Sequence, residues 1–201
     1  MRSARNRGTV VALLLAGAAL SGCFTVDAKV EQGTAGRLTI VYPLTDPKAL
    51  DAERKRAQSP QVVVESAEAG EGHATMKLKV ADFRKLNTSR LFENVTVTAD
   101  EKEGTTNLVA KVVPNEIWRN IPDKGFEVLG QEVRISVEVP GEVVETNAQE
   151  KKPNAVTWKM SSKEFFRAKQ NELKVSYKAA AAGTSTTTVP GAAPAAPPKK
   201  D

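Results

Sequence analysis

Apolar and polar residues alternate along most of the chain between Thr25 and about Lys178, which is the pattern of half-buried β-strands. The clearest run is 133–139, where valine or isoleucine at every second position alternates with arginine, serine and glutamate. Comparable runs lie at 25–30, 37–42, 62–65, 76–80, 95–98, 108–113, 143–144, 156–160 and 173–177. The pattern therefore predicts about nine or ten strands.

Short connections rich in glycine separate these runs. Gly33 and Gly36 lie between the first two runs, residues 68–72 lie between the third and fourth, and residues 102–104 precede the sixth. A Pro-Gly pair at 140–141 ends the clearest strand. Strands joined by turns this short pair in antiparallel fashion, with one face on a core.

Helical patterns are few and short. The best covers residues 45–57, with a polar cap and Pro47 early in the helix, and weaker ones cover 82–92 and 115–121. Residues 161–170 begin with a capping-box pattern, although the segment could equally be a loop. The expected fold class is α+β: a predominantly antiparallel β-sheet of about nine or ten strands, with two to four short helices, in one domain.

The first 22 residues have the pattern of a secretory signal. Three arginines precede an apolar stretch at 9–20, and residues 20–23 are Leu-Ser-Gly-Cys. Twelve apolar residues are too few to span a bilayer, which needs about 20 in a helix. The last four residues resemble the bacterial lipobox, so we predict cleavage between Gly22 and Cys23 and lipid attached to Cys23. The alternative is a small buried cysteine, or a chance one beside an ordinary cleavage site.

Residues 180–201 differ from the rest in composition, since alanine, proline, threonine and glycine dominate them. Such a segment buries too little apolar surface to offset its chain entropy, so we expect it to be disordered. It would be either an inert end or a spacer toward the cell wall or a partner. The predicted organisation is a signal peptide at 1–22, a domain at 23–179 and the tail at 180–201.

Composition argues against several classes of function. Without the three arginines of the signal, 26 basic side chains face 24 acidic ones, so the strongly basic charge of a nucleic-acid binder is absent. His73 is the only histidine and Cys23 the only cysteine, which leaves too few ligands for a zinc site and no base beside a nucleophile. We expect no enzymatic activity, no cofactor, no metal and no nucleic-acid partner.

Two segments near the end of the strand region carry a family resemblance. Residues 140–147 are Pro-Gly-Glu-Val-Val-Glu-Thr-Asn, and residues 154–158 are Asn-Ala-Val-Thr-Trp. With the lipobox, they resemble the LppM-like domain of actinobacterial lipoproteins. The resemblance implies an α+β domain outside the cytoplasmic membrane that is associated with envelope lipids or glycolipids. Family members commonly continue into a C-terminal transmembrane helix; this chain ends in its Ala/Pro tail, so the lipid on Cys23 would be its sole anchor.

Two functions from different classes follow from these features. In the first, an envelope lipoprotein anchored to the cell membrane or the outer membrane binds a lipid or glycolipid in an apolar groove. Its candidate lining residues are Phe83, Phe92, Trp118 and Trp158, each of which a plain core would explain equally well. In the second, a structural or assembly lipoprotein binds an envelope protein partner through a sheet edge or an apolar patch. A solvent-accessible cavity large enough for an acyl chain would distinguish the two.

Overall fold

Two β-sheets account for most of the chain that the computed structural model describes, which is residues 24–31, 33–44, 46–120, 122–126 and 132–179. The predicted signal peptide, Cys23 and the predicted tail lie outside these residues. The large sheet contains β1 (Phe24–Val30), β2 (Gly36–Pro43), β3 (Val62–Ala69), β4 (His73–Val80), β7 (Glu132–Glu138), β9 (Glu150–Lys152) and β10 (Ala155–Ser161). The small sheet contains β5 (Val95–Lys102), β6 (Thr105–Val112), β8 (Gly141–Thr146) and β11 (Asn171–Ala179).

The strand order is β3-β4-β2-β1-β7-β10-β9 in the large sheet and β5-β6-β11-β8 in the small one. Neighbouring strands are antiparallel except β1 and β7, which are parallel. The prediction of an α+β domain built mainly on antiparallel sheet is confirmed. The one additional strand, β9, consists of exposed charged residues, so it offers no alternation by which it could be found.

The helices are short: α1 (Ala49–Ala57), a 3₁₀ helix (Phe83–Thr88), α2 (Glu116–Arg119), α3 (Asp123–Phe126) and α4 (Ser162–Arg167). The capping box is present at α4, where the Ser161 hydroxyl accepts from the Glu164 N–H and the Glu164 carboxylate accepts from the Ser161 N–H. Among the described residues, no helix has the length and apolar character needed to cross a membrane.

All four predicted helical segments are longer than the helices that the structure shows, most clearly the first two. α1 begins at Ala49 because the Asp46 side chain accepts from the Lys48 N–H at 2.9 Å, which holds the preceding residues in a turn. Only residues 83–88 of the 82–92 segment are helical, as a 3₁₀ helix with Asp82 as its N-cap. The short helix α3 was not predicted.

The core lies between the inner faces of the two sheets. Leu38 pairs with Leu78 and Ile40 with Met76, so these apolar side chains point to one face of the large sheet. The turn between β1 and β2 depends on Gly33, whose φ of 74° is one that other residues rarely adopt. Together the sheets bury one continuous apolar cluster, which forms the frame of the site described next.

Candidate functional site

A cavity of about 420 Å³ lies between the two sheets. This volume falls within the range of small-molecule sites, about 300 to 1,000 Å³. The walls are mainly aliphatic and aromatic, and they are formed by the inward-facing residues of both sheets. From the large sheet come Phe24, Val26, Ala28, Val30, Leu38, Ile40, Tyr42, Ile135, Val137 and Trp158, and from the small sheet Val95, Val97, Leu108, Ala110, Val112, Leu173 and Val175.

Small side chains on both walls help to explain why the space is not filled. Packed sheets lie about 10 Å apart, and side chains from both inner faces normally interdigitate to fill the gap. Ala28 on β1 and Ala110 on β6 each contribute only a methyl group. Longer residues at these two positions would reduce the cavity.

One end of the cavity is covered by the β1–β2 turn and the 3₁₀ helix; we call it the covered end. The Phe83 N–H donates to the Thr34 carbonyl at 2.7 Å, and the Thr34 hydroxyl donates to the Asp82 carboxylate at 2.7 Å. Hydrogen bonds from Arg84, aided by Thr34, lower the pKa of Asp82 to about 2. A Cβ at Gly36 would clash with the Lys29 carbonyl oxygen and lie 2.9 Å from the Phe83 ring, so only glycine fits at this position.

The polar lining residues lie at the other end of the cavity, which we call the Phe24 end. Thr25 pairs with Val41, which brings Phe24 and Tyr42 to the same end of neighbouring strands. Glu53 of α1 also lines the cavity and lies close enough to Tyr42 to raise its pKa. Asn94, immediately before β5, is a further polar lining residue.

Aromatic contacts connect the two sheets at the Phe24 end. The ring of Phe24 packs edge to face on Phe166 of α4 at 6.4 Å, and Phe166 packs on Phe165 at 5.1 Å. The Asn171 side chain of β11 donates to the Phe165 carbonyl at 2.9 Å. In register, Asn171 pairs with Val112 at the end of β6, so α4 links the start of β1 to the small sheet.

The hydroxyl group of Tyr42 is buried and has no partner in hydrogen-bonding geometry among the described residues. Burial raises the pKa of Tyr42, and the neighbouring Glu53 carboxylate raises it further. A buried polar group without a partner costs about 1 to 3 kcal/mol. The closest available acceptor is the Glu53 carboxylate, which is near enough to raise the pKa of Tyr42 but does not reach good hydrogen-bonding geometry.

Trp158 is buried, at 3% exposure, and its side chain also forms part of the cavity wall. Its Nε1–H donates to the Asn147 side-chain oxygen at 2.9 Å. That oxygen also accepts from the Lys174 N–H at 2.8 Å, while the Asn147 amide donates to the Glu172 carbonyl at 2.8 Å. Asn147 therefore ties β10 of the large sheet to β11 of the small one. The asparagine and tryptophan of the motif behind the family resemblance are thus hydrogen-bonded partners.

The candidate residues from the sequence are distributed as follows. Phe83, Phe92 and Trp158 line the cavity. The side chain of Trp118 and both residues of the predicted cleavage site, Gly22 and Cys23, lie outside the described part of the chain. That any of these residues contacts a ligand stays a prediction.

Sequence reasoning missed several lining residues, among them Phe24, Tyr42, Phe165 and Phe166. The available signal was positional: Phe24 and Tyr42 are aromatic residues at the ends of the first two alternating runs. The residues of α4 carried no such signal, because the position of α4 depends on how the two sheets stack.

Comparison with known proteins gives two matches. The sequence matches the LppM domain over residues 44–172. The NMR structure of the folded domain of the LppM protein from Mycobacterium tuberculosis is similar, with 15% sequence identity and a TM-score of 0.49, over 82% of this chain and 95% of that one. No curated protein matches the chain.

Proposed function

The chain belongs to the LppM domain family of lipoproteins, and from this premise we propose that it is a non-enzymatic envelope lipoprotein that binds a lipid or glycolipid between its two sheets. The observation that carries the proposal is the cavity of about 420 Å³, which is mostly apolar and has its few polar lining residues at the Phe24 end. An amphiphilic lipid is likewise apolar along its acyl chain and polar at its head group. Its acyl chain would lie between the sheets and its head group near Tyr42, Glu53 and Asn94.

The chemistry of the lining supports binding rather than catalysis. Among the described lining residues the only carboxyl side chain is that of Glu53, and there is no histidine, cysteine, serine, lysine or arginine. A nucleophile next to a general base is therefore not part of these walls. The single histidine, His73, is exposed at the start of β4, and its ring nitrogen contacts the Glu71 carbonyl at 3.0 Å.

Burial of an acyl chain is a sufficient driving force for binding. Each methylene moved out of water contributes about 0.8 kcal/mol. A dozen methylenes would therefore contribute on the order of 10 kcal/mol before the entropy of association is subtracted.

The alternative function, assembly with an envelope protein, has less support. The large apolar side chains that are exposed in the described residues are spread over four different segments: Val63, Val113, Ile117 and Val144.

The test compares two substitutions at adjacent positions of β1. Ala28 lines the cavity and Asp27 is exposed on the outer face of the same strand. The mature chain, made without its signal and with Cys23→Ser, would be analysed for copurified lipid by native mass spectrometry and titrated with a fluorescent fatty acid. We expect Ala28→Phe to weaken binding about tenfold, which is about 1.4 kcal/mol, and Asp27→Phe to leave it unchanged.

Thermal unfolding of both variants serves as the folding control, because a large residue in a cavity wall can also introduce strain. Ala110→Leu narrows the cavity from the opposite wall and should act like Ala28→Phe. Equal affinity in all folded variants, or no binding by the parent protein, would contradict the proposal. In the second case, capture of an envelope protein would support the assembly function.

A further inference from the structure

The predicted lipid anchor is covalently adjacent to the cavity. Phe24 is the first residue of β1, it lines the cavity, and it packs against the apolar core. Cys23 precedes it directly in the sequence, and consecutive Cα atoms are about 3.8 Å apart. After cleavage at the predicted site, no linker would separate the lipidated residue from the cavity wall.

The predicted anchor directly precedes the residue that names the Phe24 end of the cavity. Phe24 lies beside Tyr42 on neighbouring strands, and Tyr42 interacts with Glu53, so the Phe24 end carries the polar lining groups. The opposite end is covered by the β1–β2 turn and by Phe83, which is 5% exposed. A lipid whose head group lies beside these polar groups would therefore have to enter chain first from the Phe24 end.

We propose that the cavity takes up its lipid directly from the membrane leaflet that holds the Cys23 anchor, through the Phe24 end. This inference rests on the proposed function. The physical reason is the cost of the alternative route, because an acyl chain that crosses water exposes each methylene at about 0.8 kcal/mol. For a dozen methylenes this barrier is on the order of 10 kcal/mol. An entrance held at the surface of the bilayer avoids most of that exposure.

The short tether also sets the orientation of the domain. A flexible linker allows the domain to turn away from the surface, and its average span grows as the square root of its length. With no linker, the Phe24 end stays within a few ångströms of the head groups, because the chain spans only about 3.3 to 3.6 Å per residue. Moving this end away from the bilayer should therefore slow uptake without altering the cavity.

The experiment inserts about 20 glycine and serine residues between Cys23 and Phe24, which span roughly 25 Å on average. The matched control carries the same insertion after Ala179, at the end of β11. Lipidated full-length mature proteins would be reconstituted into phosphatidylcholine vesicles that contain a pyrene-labelled phosphatidylcholine. One measurement is the rate at which the protein takes up the probe from its own vesicle. The other is equilibrium binding of the same probe delivered to the Cys23→Ser forms from cyclodextrin.

We expect the insertion before Phe24 to slow uptake about tenfold, the scale expected when an effective concentration falls with tether length, while the control insertion has no effect. Equilibrium binding should be the same in all three proteins, which also verifies that each is folded. An insertion of about five residues, with an average span of roughly 12 Å, should give an intermediate rate.

The other outcomes distinguish this inference from the proposed function. Unchanged uptake by a protein that binds the probe normally would overturn direct loading and leave lipid binding in place. Failure of every Cys23→Ser form to bind lipid would overturn the proposed function, and the inference with it. If the Cys23→Ser protein binds the probe but the lipidated wild type takes up none, the cavity holds the protein's own acyl chain, and loading from the leaflet is excluded.

Discussion

The inner face of the large sheet has a packed region and a hollow region, side by side. On β3 and β4, the inner-face residues Val62, Met76 and Leu78 are completely buried, and none of them lines the cavity. On β1 and β2, the equivalent positions line a cavity of about 420 Å³. The two regions share one hydrogen-bonded sheet, since Leu38 of β2 pairs with Leu78 of β4.

The difference shows that the covering layer, not the strand pattern, decides whether a sheet face becomes core or cavity. Helix α1 packs against β3, and its Ala57 is fully buried. Over β1 and β2 the covering layer is the small sheet, whose backbone is held at a distance by its own side chains and contributes a methyl group at Ala110. The closely packed region provides stability, and the hollow region leaves room for a ligand.

The largest expected effect comes from removing the same leucine side chain in each region. Leu78→Ala should lower the free energy of unfolding by an amount near the top of the range of about 2 to 5 kcal/mol, because well-packed neighbours cannot collapse into the gap. Leu38→Ala should lie near the bottom of that range, because one side of Leu38 already faces the cavity. Urea unfolding of both variants measures the difference.

The two leucines are direct neighbours in register, and both are nearly buried, at 4% and 0% exposure. Differences in hydrophobicity or secondary structure therefore cannot account for unequal costs. Equal losses for Leu38→Ala and Leu78→Ala would mean that the β1–β2 region packs as tightly as the β3–β4 region in solution.

The sequence predicted the strands better than the cavity, for a physical reason. Alternation reports which face of a strand is buried, and it located ten of the eleven strands in the described part of the chain, where it missed the fully exposed β9. It carries no information on the distance between opposing layers. Trp158 illustrates this limit: core and groove were weighed as alternatives, whereas the structure gives it both burial and a position on the cavity wall.

Local chemistry was predictable where it depended on neighbouring residues. The capping box of α4 needs only Ser161 and Glu164, three positions apart, and it is present. The link between Asn147 and Trp158 depends on how β10 of the large sheet stacks on the β8–β11 pair of the small sheet, so the sequence motif could be noticed but not explained.

A smaller effect tests how much the hydrogen bonds of Asp82, at the covered end of the cavity, contribute to stability. The side chain of Asp82 is 14% exposed; it accepts hydrogen bonds from Thr34 and Arg84 and caps the 3₁₀ helix beside Phe83. Asp82→Asn removes the charge while keeping an acceptor, and should cost about 1 kcal/mol at neutral pH. Asp27→Asn, on an exposed face of β1, should stay within about 0.5 kcal/mol of wild type.

The pH dependence of this effect has a defined sign. Arg84 and Thr34 lower the pKa of Asp82 in the folded protein to about 2, from the ordinary value of 3.8. Folding therefore favours the ionised form, so its contribution is complete above the ordinary pKa and is lost as the pH falls toward 2. The stability difference between wild type and Asp82→Asn should shrink over that window. A difference that persists unchanged to pH 2 would assign the effect to packing rather than to the charge.

The smallest expected effect compares the two tyrosines of the chain, one on the cavity wall and one in the packed core. Tyr42 lines the cavity, and the group nearest to its buried hydroxyl is the Glu53 carboxylate, which does not reach good hydrogen-bonding geometry. Tyr177 is 3% exposed and does not line the cavity; burial raises its pKa, and Thr106 beside its hydroxyl lowers it by a smaller amount. Tyr177→Phe should therefore cost about 1 kcal/mol of stability and leave lipid affinity unchanged. Tyr42→Phe should cost less than Tyr177→Phe, because its buried hydroxyl has no partner in good hydrogen-bonding geometry. If a bound head group supplies the missing partner, Tyr42→Phe should also weaken binding about two- to tenfold, equivalent to one hydrogen bond of about 0.5 to 1.5 kcal/mol. Measured by thermal unfolding and probe titration, a loss of stability in Tyr42→Phe with unchanged affinity would show that its hydroxyl is bonded within the protein, and the head group would then have to lie elsewhere.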